Sequence, residues 1–235
     1  MFRFRPATST SDLERVHRLR YQVYCIERGF EDALEHPDGL ERDDYDVDAW
    51  QFLCVDEQDE AVGTVRLIRA TNERLLPIER HCELERPIDP ALRSRTAEIS
   101  RMAISRSYRR RAGDTIYGVT DPHGATPPPP GVERRELPLL FMGLLREMYR
   151  TSLREGITHW YAAMERRLAH LIRRYSFDFQ PIGPAVDYNG IRIPHAVAIE
   201  DMETRVRDCR KDVYRYFREE LSDTMTAASA SLLRS

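Results

Sequence analysis

Apolar and polar positions change their period several times along the chain. Phe2 and Phe4 alternate with arginines over residues 2–5, the two-residue rhythm of a short strand. Thr8 to Asp12 supply cap residues, and Leu13, Val16, Leu19, Val23 and Tyr24 then recur at helical spacing, with Arg20 on the same apolar face. Residues 27–48 are acidic and broken by Gly29, Pro37 and Gly39, which predicts a loop with short helices. Trp50–Asp56 and Ala61–Arg69 read as an antiparallel strand pair across the polar turn 57–60. Ala97–Ser105 reads as a further strand that enters the basic turn Arg106–Arg111.

Pro127 to Pro130 lie in a stretch that cannot be a packed element, and they predict an insertion at about 114–134. Beyond it, Leu137, Leu140, Phe141, Leu144, Leu145 and Met148 form a helical stripe that Gly156 ends. Thr158–Met164 predicts a strand and Arg166–Tyr175 a helix. Phe177–Asp187 and Ile191–Glu200 predict a hairpin around Asn189-Gly190. A last helix is expected over 204–221, before a Ser/Ala-rich tail, 222–235, that reads as disordered. The order predicts one α/β domain over 1–221, a central mixed sheet with helices on both faces.

Within this pattern Glu98-Ile99-Ser100-Arg101 is out of place, because it puts a carboxylate, a hydroxyl and a guanidinium where a buried strand should be apolar. Arg20, Asp43, Asp46 and Arg66 are further ionisable groups in apolar contexts, and such groups need one another. Two readings stay open. The cluster is either a buried ion-pair network that fixes the N-terminal part on the sheet, or a site with Glu98 as a general base whose pKa burial raises into a useful range. Ser100 does not read as a nucleophile, since a buried hydroxyl often just bonds a neighbouring backbone group and no Gly-x-Ser-x-Gly elbow surrounds it. Arg66 and Arg101 would hold the acidic cluster or bind an acceptor's carboxylate.

Composition narrows the classes. With 41% hydrophobic and 32% charged residues the chain can bury a full core, and a net charge of −3 gives no overall basic field for nucleic acid. Cys25, Cys54, Cys82 and Cys209 lie far apart, which suits reduced thiols in a cytoplasmic protein rather than a disulfide frame or a metal site. His159, His170 and His195 have no ligand spacing, and no apolar run is long enough to span a bilayer.

The order of elements, with Arg20–Phe30, Glu98–Arg101 and Gly190–Pro194, resembles the GNAT acyltransferase fold. Within it, the chain resembles the branch of acyl-homoserine-lactone (autoinducer) synthases and N-acyl amino acid synthases, and more narrowly the acyltransferases associated with PEP-CTERM/exosortase systems. The resemblance implies an N-acyltransferase that moves a fatty acyl chain from acyl carrier protein to the amine of a small acceptor, an amino acid, without a tightly bound cofactor. Glu98, Ser100 and Arg101 would then be catalytic. Arg20, Tyr24, Phe30, Asp43, Asp46, Arg66 and Arg192 would bind substrate, with backbone N–H groups near Met102 and Ala103 meeting the oxyanion. Tyr24 and Phe30 stand where the lactone synthases usually have Phe and Trp. Arg106, Arg109, Arg110, Arg111 and Gly113 would meet a carrier protein or its phosphopantetheine, and Thr115, in place of the loop's final Gly or Ala, points away from acyl-coenzyme A. The alternatives are a lactone synthase using S-adenosylmethionine and a non-catalytic carrier-protein or lipid-binding module.

Overall fold

The computed structural model describes residues 2–108 and 136–218. Arg109, Arg110, Arg111, Gly113, the proline segment and the tail lie outside the described residues. The described strands are β1 (Arg3–Pro6), β2 (Ala49–Val55), β3 (Ala61–Arg69), β4 (Thr96–Ile104), β5 (His159–Met164), β6 (Gln180–Pro181), β7 (Val186–Asp187) and β8 (Ile191–Ala198). They form a mixed sheet in the order β1-β2-β3-β4-β5-β8-β6, with β7 also on β8. Every pairing is antiparallel except that of β4 with β5. The helices are α1 (Thr10–Arg20), α2 (Pro77–His81), α3 (Glu136–Glu155), α4 (Arg166–Arg173), α5 (Ile199–Cys209) and α6 (Lys211–Arg218).

Strand alternation decides which helix covers which face. Leu53 and Val55 of β2 cluster with Val16 of α1, whereas Phe52 and Cys54 cluster with Leu140, Leu144 and Met148 of α3. Successive strand residues point to opposite sides, so α1 and α3 cover opposite faces. Gln51 stands opposite Arg66, and Arg66 opposite Ser100, so these polar residues share the α1 face. Ile68, opposite Glu98, continues that face under α2, where it packs with Leu76 and Ile78. The ionisable groups thus occupy one side of the sheet and the long apolar helix the other.

Local chemistry sets the boundaries. The Ser9 hydroxyl caps α1 by accepting from the Asp12 N–H at 3.1 Å, and Arg5 braces Asp12 with two bonds of 2.8 and 3.0 Å. From Tyr21 to Glu27 the chain continues as a π-helical segment that buries Val23, Tyr24 and Cys25. Residues 27–48 hold two short 3-10 turns, Ala33–Glu35 and Asp44–Asp48, as the pattern predicts.

Three elements depart from the sequence reading. The first arm of the hairpin is not continuous but split into β6 and β7. Its backbone turns to a second partner there: the Glu85 N–H donates to the Ile182 carbonyl at 2.8 Å, and a Cβ on Gly183 would lie 2.0 Å from the Glu83 carbonyl oxygen. The last helix divides at Arg210, whose φ of −139° leaves the helical region while its guanidinium grips Asp212 at 2.6 Å. α2 is too short to show a period, although Pro77 at its first position is a start signal. Among the described residues no helix is long and apolar enough to cross a membrane.

Packing of β1 on α3 gives a direct check. A Cβ on Gly143 would meet the Phe4 ring at 2.2 Å, so Gly143→Ala should destabilise the fold by roughly 1–3 kcal/mol from overpacking, although alanine is the better helix former. Urea unfolding of this variant and of Phe4→Leu/Gly143→Ala measures it. The smaller side chain should restore part of the loss, and a Gly143→Ala protein more stable than wild type would contradict the packing.

Candidate active site

β4 carries the site because of two irregularities. Ser100 pairs with Arg66 and Ala103 with Thr64, so Val65 alone faces the two residues Arg101 and Met102. This β-bulge places Arg101 at φ +48°, the left-handed region that non-glycine residues rarely occupy. It also swings Arg101 toward the face of Arg66, since both reach Asp43. The Tyr24 hydroxyl donates to the Met102 carbonyl at 3.0 Å, which ties the π-helical segment to the bulge. The second irregularity is the end of the parallel pairing. Thr96, Ala97 and Glu98 pair with His159, Trp160 and Tyr161, and no further pair joins β4 to β5.

The charged residues singled out in the sequence come together as one network. Arg20, fully buried, donates to Glu41 and to Asp46, the latter at 2.8 Å. Arg66 reaches Asp46 at 2.7 Å, grips both oxygens of Asp43, and donates from Nε to the Ser100 hydroxyl at 3.0 Å. Arg101 reaches Glu41 at 3.0 Å and Glu31 at 2.6 Å. Burial alone would raise the Glu41 carboxyl, but Arg20 and Arg101 outweigh it and hold the group at about 2. Asp46 is likewise held well below the usual carboxylate range, since Arg20 and Arg66 overcome its burial. For Arg101, burial is outweighed by Glu41 and Glu31, which keep the guanidinium charged.

Glu98 behaves differently. It is 3% exposed, and burial pushes its carboxyl up to about 8, against the opposing pull of the Ile78 N–H and Arg66. Its Oε2 accepts from the Ile78 N–H at 2.9 Å, near the start of α2. No donor among the described residues is hydrogen-bonded to Oε1. One oxygen is therefore held while the other remains available.

Glu98 lines a cavity of about 540 Å³. Arg66, Ser100 and Asp43 line it from the α1 face, and Phe141, Leu145 and Met148 from the α3 face. Ile99 to Met102 of β4 and Ala162 to Met164 of β5 also border it, so it passes through the sheet where the two strands no longer pair. Toward α4 the lining is apolar, with Leu168, Ile172 and Phe179. An aromatic wall stands near the bulge: the Tyr24 and Phe30 rings lie 6.3 Å apart, with Arg101 5.3 Å from the first and Arg192 5.9 Å from the second.

The remaining candidates divide. Arg192 follows a surface turn yet is buried, paired with Glu165 at 2.6 Å, and borders the cavity. Met102 borders it as well, whereas Ala103 is buried in the apolar core and is absent from the cavity wall. Arg106 is exposed in the short turn after β4. Sequence reasoning missed Glu41 and Glu31, the carboxylates that complete the network, and the stacked rings of His81 and Tyr188, 4.2 Å apart at the cavity. Glu41 stands in the acidic run 41–46, but four acids in six positions give no hint which of them turn inward. Cys25 and Cys82 are core residues whose thiols burial pushes up to about 11.

Comparison with known proteins agrees with this fold. Residues 19–117 match the Acetyltransferase (GNAT) domain. BjaI, described as a CoA-dependent acyl-homoserine lactone synthase and solved with MTA, superposes with a TM-score of 0.63 at 21% identity, covering 100% of this chain and 99% of its own. FeeM, an N-acyl amino acid synthase from uncultured soil microbes, superposes at 0.54 with 14% identity, over 87% of this chain and 94% of its own. The AHL synthase LasI gives 0.52 and 17%, over 83% and 86%. The mixed sheet with flanking helices, opened between its two parallel strands, is the GNAT fold.

Proposed function

We propose that the protein is an N-acyltransferase that moves a fatty acyl chain from a thioester on the phosphopantetheine of an acyl carrier protein to the amine of a small acceptor. The observation that carries this reading is the cavity through the sheet, with the available Glu98 oxygen at its polar end and apolar side chains toward α4. A thioester lying in the gap between β4 and β5 would put its acyl chain among the apolar side chains and its carbonyl near Glu98. The amine attacks the carbonyl carbon, the C–N bond forms, the C–S bond breaks, and the proton lost by nitrogen goes to Glu98, directly or through a water.

The pKa values suit that transfer. An alkyl ammonium titrates at about 10.4 and an ordinary carboxylate at about 4.3, so the value of about 8 to which burial brings Glu98 narrows the gap between proton donor and acceptor. Donation from Arg66 leaves the Ser100 hydroxyl in a positioning role rather than a nucleophilic one. The carrier protein as donor rests on the basic run that begins at Arg106 and on Thr115, and the narrower kinship with PEP-CTERM/exosortase acyltransferases on the sequence runs named above. A second reading, a lactone synthase using S-adenosylmethionine, draws on BjaI, which has also been solved with SAM and isopentyl-CoA.

Mass spectrometry of products tests the reaction. The full chain is incubated with long-chain acyl carrier protein or acyl-coenzyme A, a pool of amines and amino acids, and S-adenosylmethionine. N-acylated amine from the carrier-bound donor is the expected outcome. An acyl lactone would select the second reading, and carrier binding with no product would favour a binding module.

Glu98→Gln should lower kcat/KM by about 10²–10⁴-fold. Its pH profile carries the sign. Wild type needs both a free amine and an ionised Glu98, so log kcat/KM should rise toward pH 8 with a slope near two, against a slope near one for the variant. Equal slopes would remove Glu98 as base. Folding gives a separate readout. The folded carboxyl titrates above its unfolded value, so its stabilising contribution is present below about pH 4.5 and lost as pH rises through about 8. Wild type should therefore lose stability relative to Glu98→Gln across that window in denaturant titrations. A constant difference would contradict the burial.

A further inference from the structure

The polar end of the cavity also constrains the acceptor. Arg66, Arg101 and Arg192 are the guanidinium groups among the described residues that line it, and each is engaged. Arg66 meets Asp43 and Asp46, Arg101 meets Glu31 and Glu41, and Arg192 meets Glu165. Arg20, behind them, meets Glu41 and Asp46. The network therefore sets Arg20, Arg66 and Arg101 against four carboxylates, and the exposed Asp44 adds a further negative charge to the cavity wall. Arg74, which donates to the Asp44 carbonyl, and Arg80 lie behind it over the Tyr45 ring rather than in the lining.

An amino acid entering this end would bring a carboxylate with no unengaged guanidinium among the described lining residues to receive it. It would have to displace a buried carboxylate from its arginine or lie beside it, where like charges repel strongly at low effective dielectric. A second ammonium has the opposite fit, because the carboxylates of Asp43, Asp44 and Glu31 border the same wall and can each accept from it. This revises the expectation that Arg66 and Arg101 receive an acceptor's carboxylate.

We infer that the acceptor is an amine carrying a second positive charge and no carboxylate, a diamine in the simplest case; the inference rests on the acyl-transfer reading. One nitrogen, as the neutral amine, attacks the thioester and gives its proton to Glu98 as the C–N bond forms and the sulfur leaves as a thiolate, while the other nitrogen stays charged against the acidic wall.

Four compounds on one carbon skeleton separate the two charges: pentylamine, diaminopentane, norleucine and lysine. With a saturating acyl carrier protein donor at neutral pH, the second ammonium should raise kcat/KM about tenfold and the carboxylate should lower it about tenfold. Added salt and Asp44→Asn should each shrink the ammonium effect. Norleucine acylated as well as diaminopentane, or better, would overturn the inference while leaving the acyl-transfer reading in place. Calorimetry of the same four compounds without donor gives an independent readout. Diaminopentane binding about tenfold tighter than norleucine with no acylation of any amine would keep the charge preference and overturn the transfer reading; equal binding would overturn the charge preference.

Discussion

The structure depends on where β4 stops pairing with β5. Up to Glu98 and Tyr161 the two strands share a parallel ladder, and beyond them they border a cavity instead. A sheet interior that opens in this way exposes backbone groups that the ladder would otherwise satisfy, so other groups must hold the edges apart. On the β4 side the bulge at Arg101 and the Tyr24 hydroxyl on the Met102 carbonyl do this. On the β5 side, β8 continues the ladder through Met164, opposite Ile193, and keeps that edge straight.

Charge keeps the arrangement in register. Arg20 from α1, Arg66 from β3 and Arg101 from β4 share Glu31, Glu41, Asp43 and Asp46 from the 27–48 segment, so residues far apart in sequence become one unit. Removing one partner from such a buried network typically costs about 3–5 kcal/mol, because the remaining charge is left uncompensated. Glu98 is close to this network but not paired into it. The Ile78 N–H and, from a distance, Arg66 favour its charged form, but burial outweighs both and decides its protonation. The three arginines and their carboxylates engage one another, whereas Glu98 holds the Ile78 N–H with one oxygen, and it is Glu98 that the proposed reaction takes as base.

Much of this was legible in the chain. β3 has the boundaries its alternation indicated, and the α3 stripe from Leu140 to Met148 lies in the core. Glu98, Ser100 and Arg101 stood out because a buried strand has no use for them unless they are partnered, and their partners Arg66 and Asp43 carried the same signal. What could not be read depends on contacts distant in sequence. Glu41 faces Arg20 across 21 residues and Arg101 across 60, and no local period marks it out from its acidic neighbours. The bulge leaves no trace in composition, since Arg101 adopts a left-handed φ without a glycine to announce it. Arg192 comes just after the Asn189-Gly190 turn, where nothing local marks it as buried, yet it packs beside Phe30 and pairs with Glu165.

Everything proposed for the site turns on Glu98 being a buried carboxyl, held protonated near neutral pH by desolvation at the point where the sheet opens. Carbon-13 NMR of the side-chain carboxyls, with Glu98→Gln to assign the resonance, measures this directly. A single titration for Glu98 with a midpoint near pH 8, well separated from Glu41 at about 2, is the expected result. A midpoint in the ordinary carboxylate range near 4.3 would mean that water or a cation reaches the group, and would contradict both its burial and its fitness as a base at neutral pH.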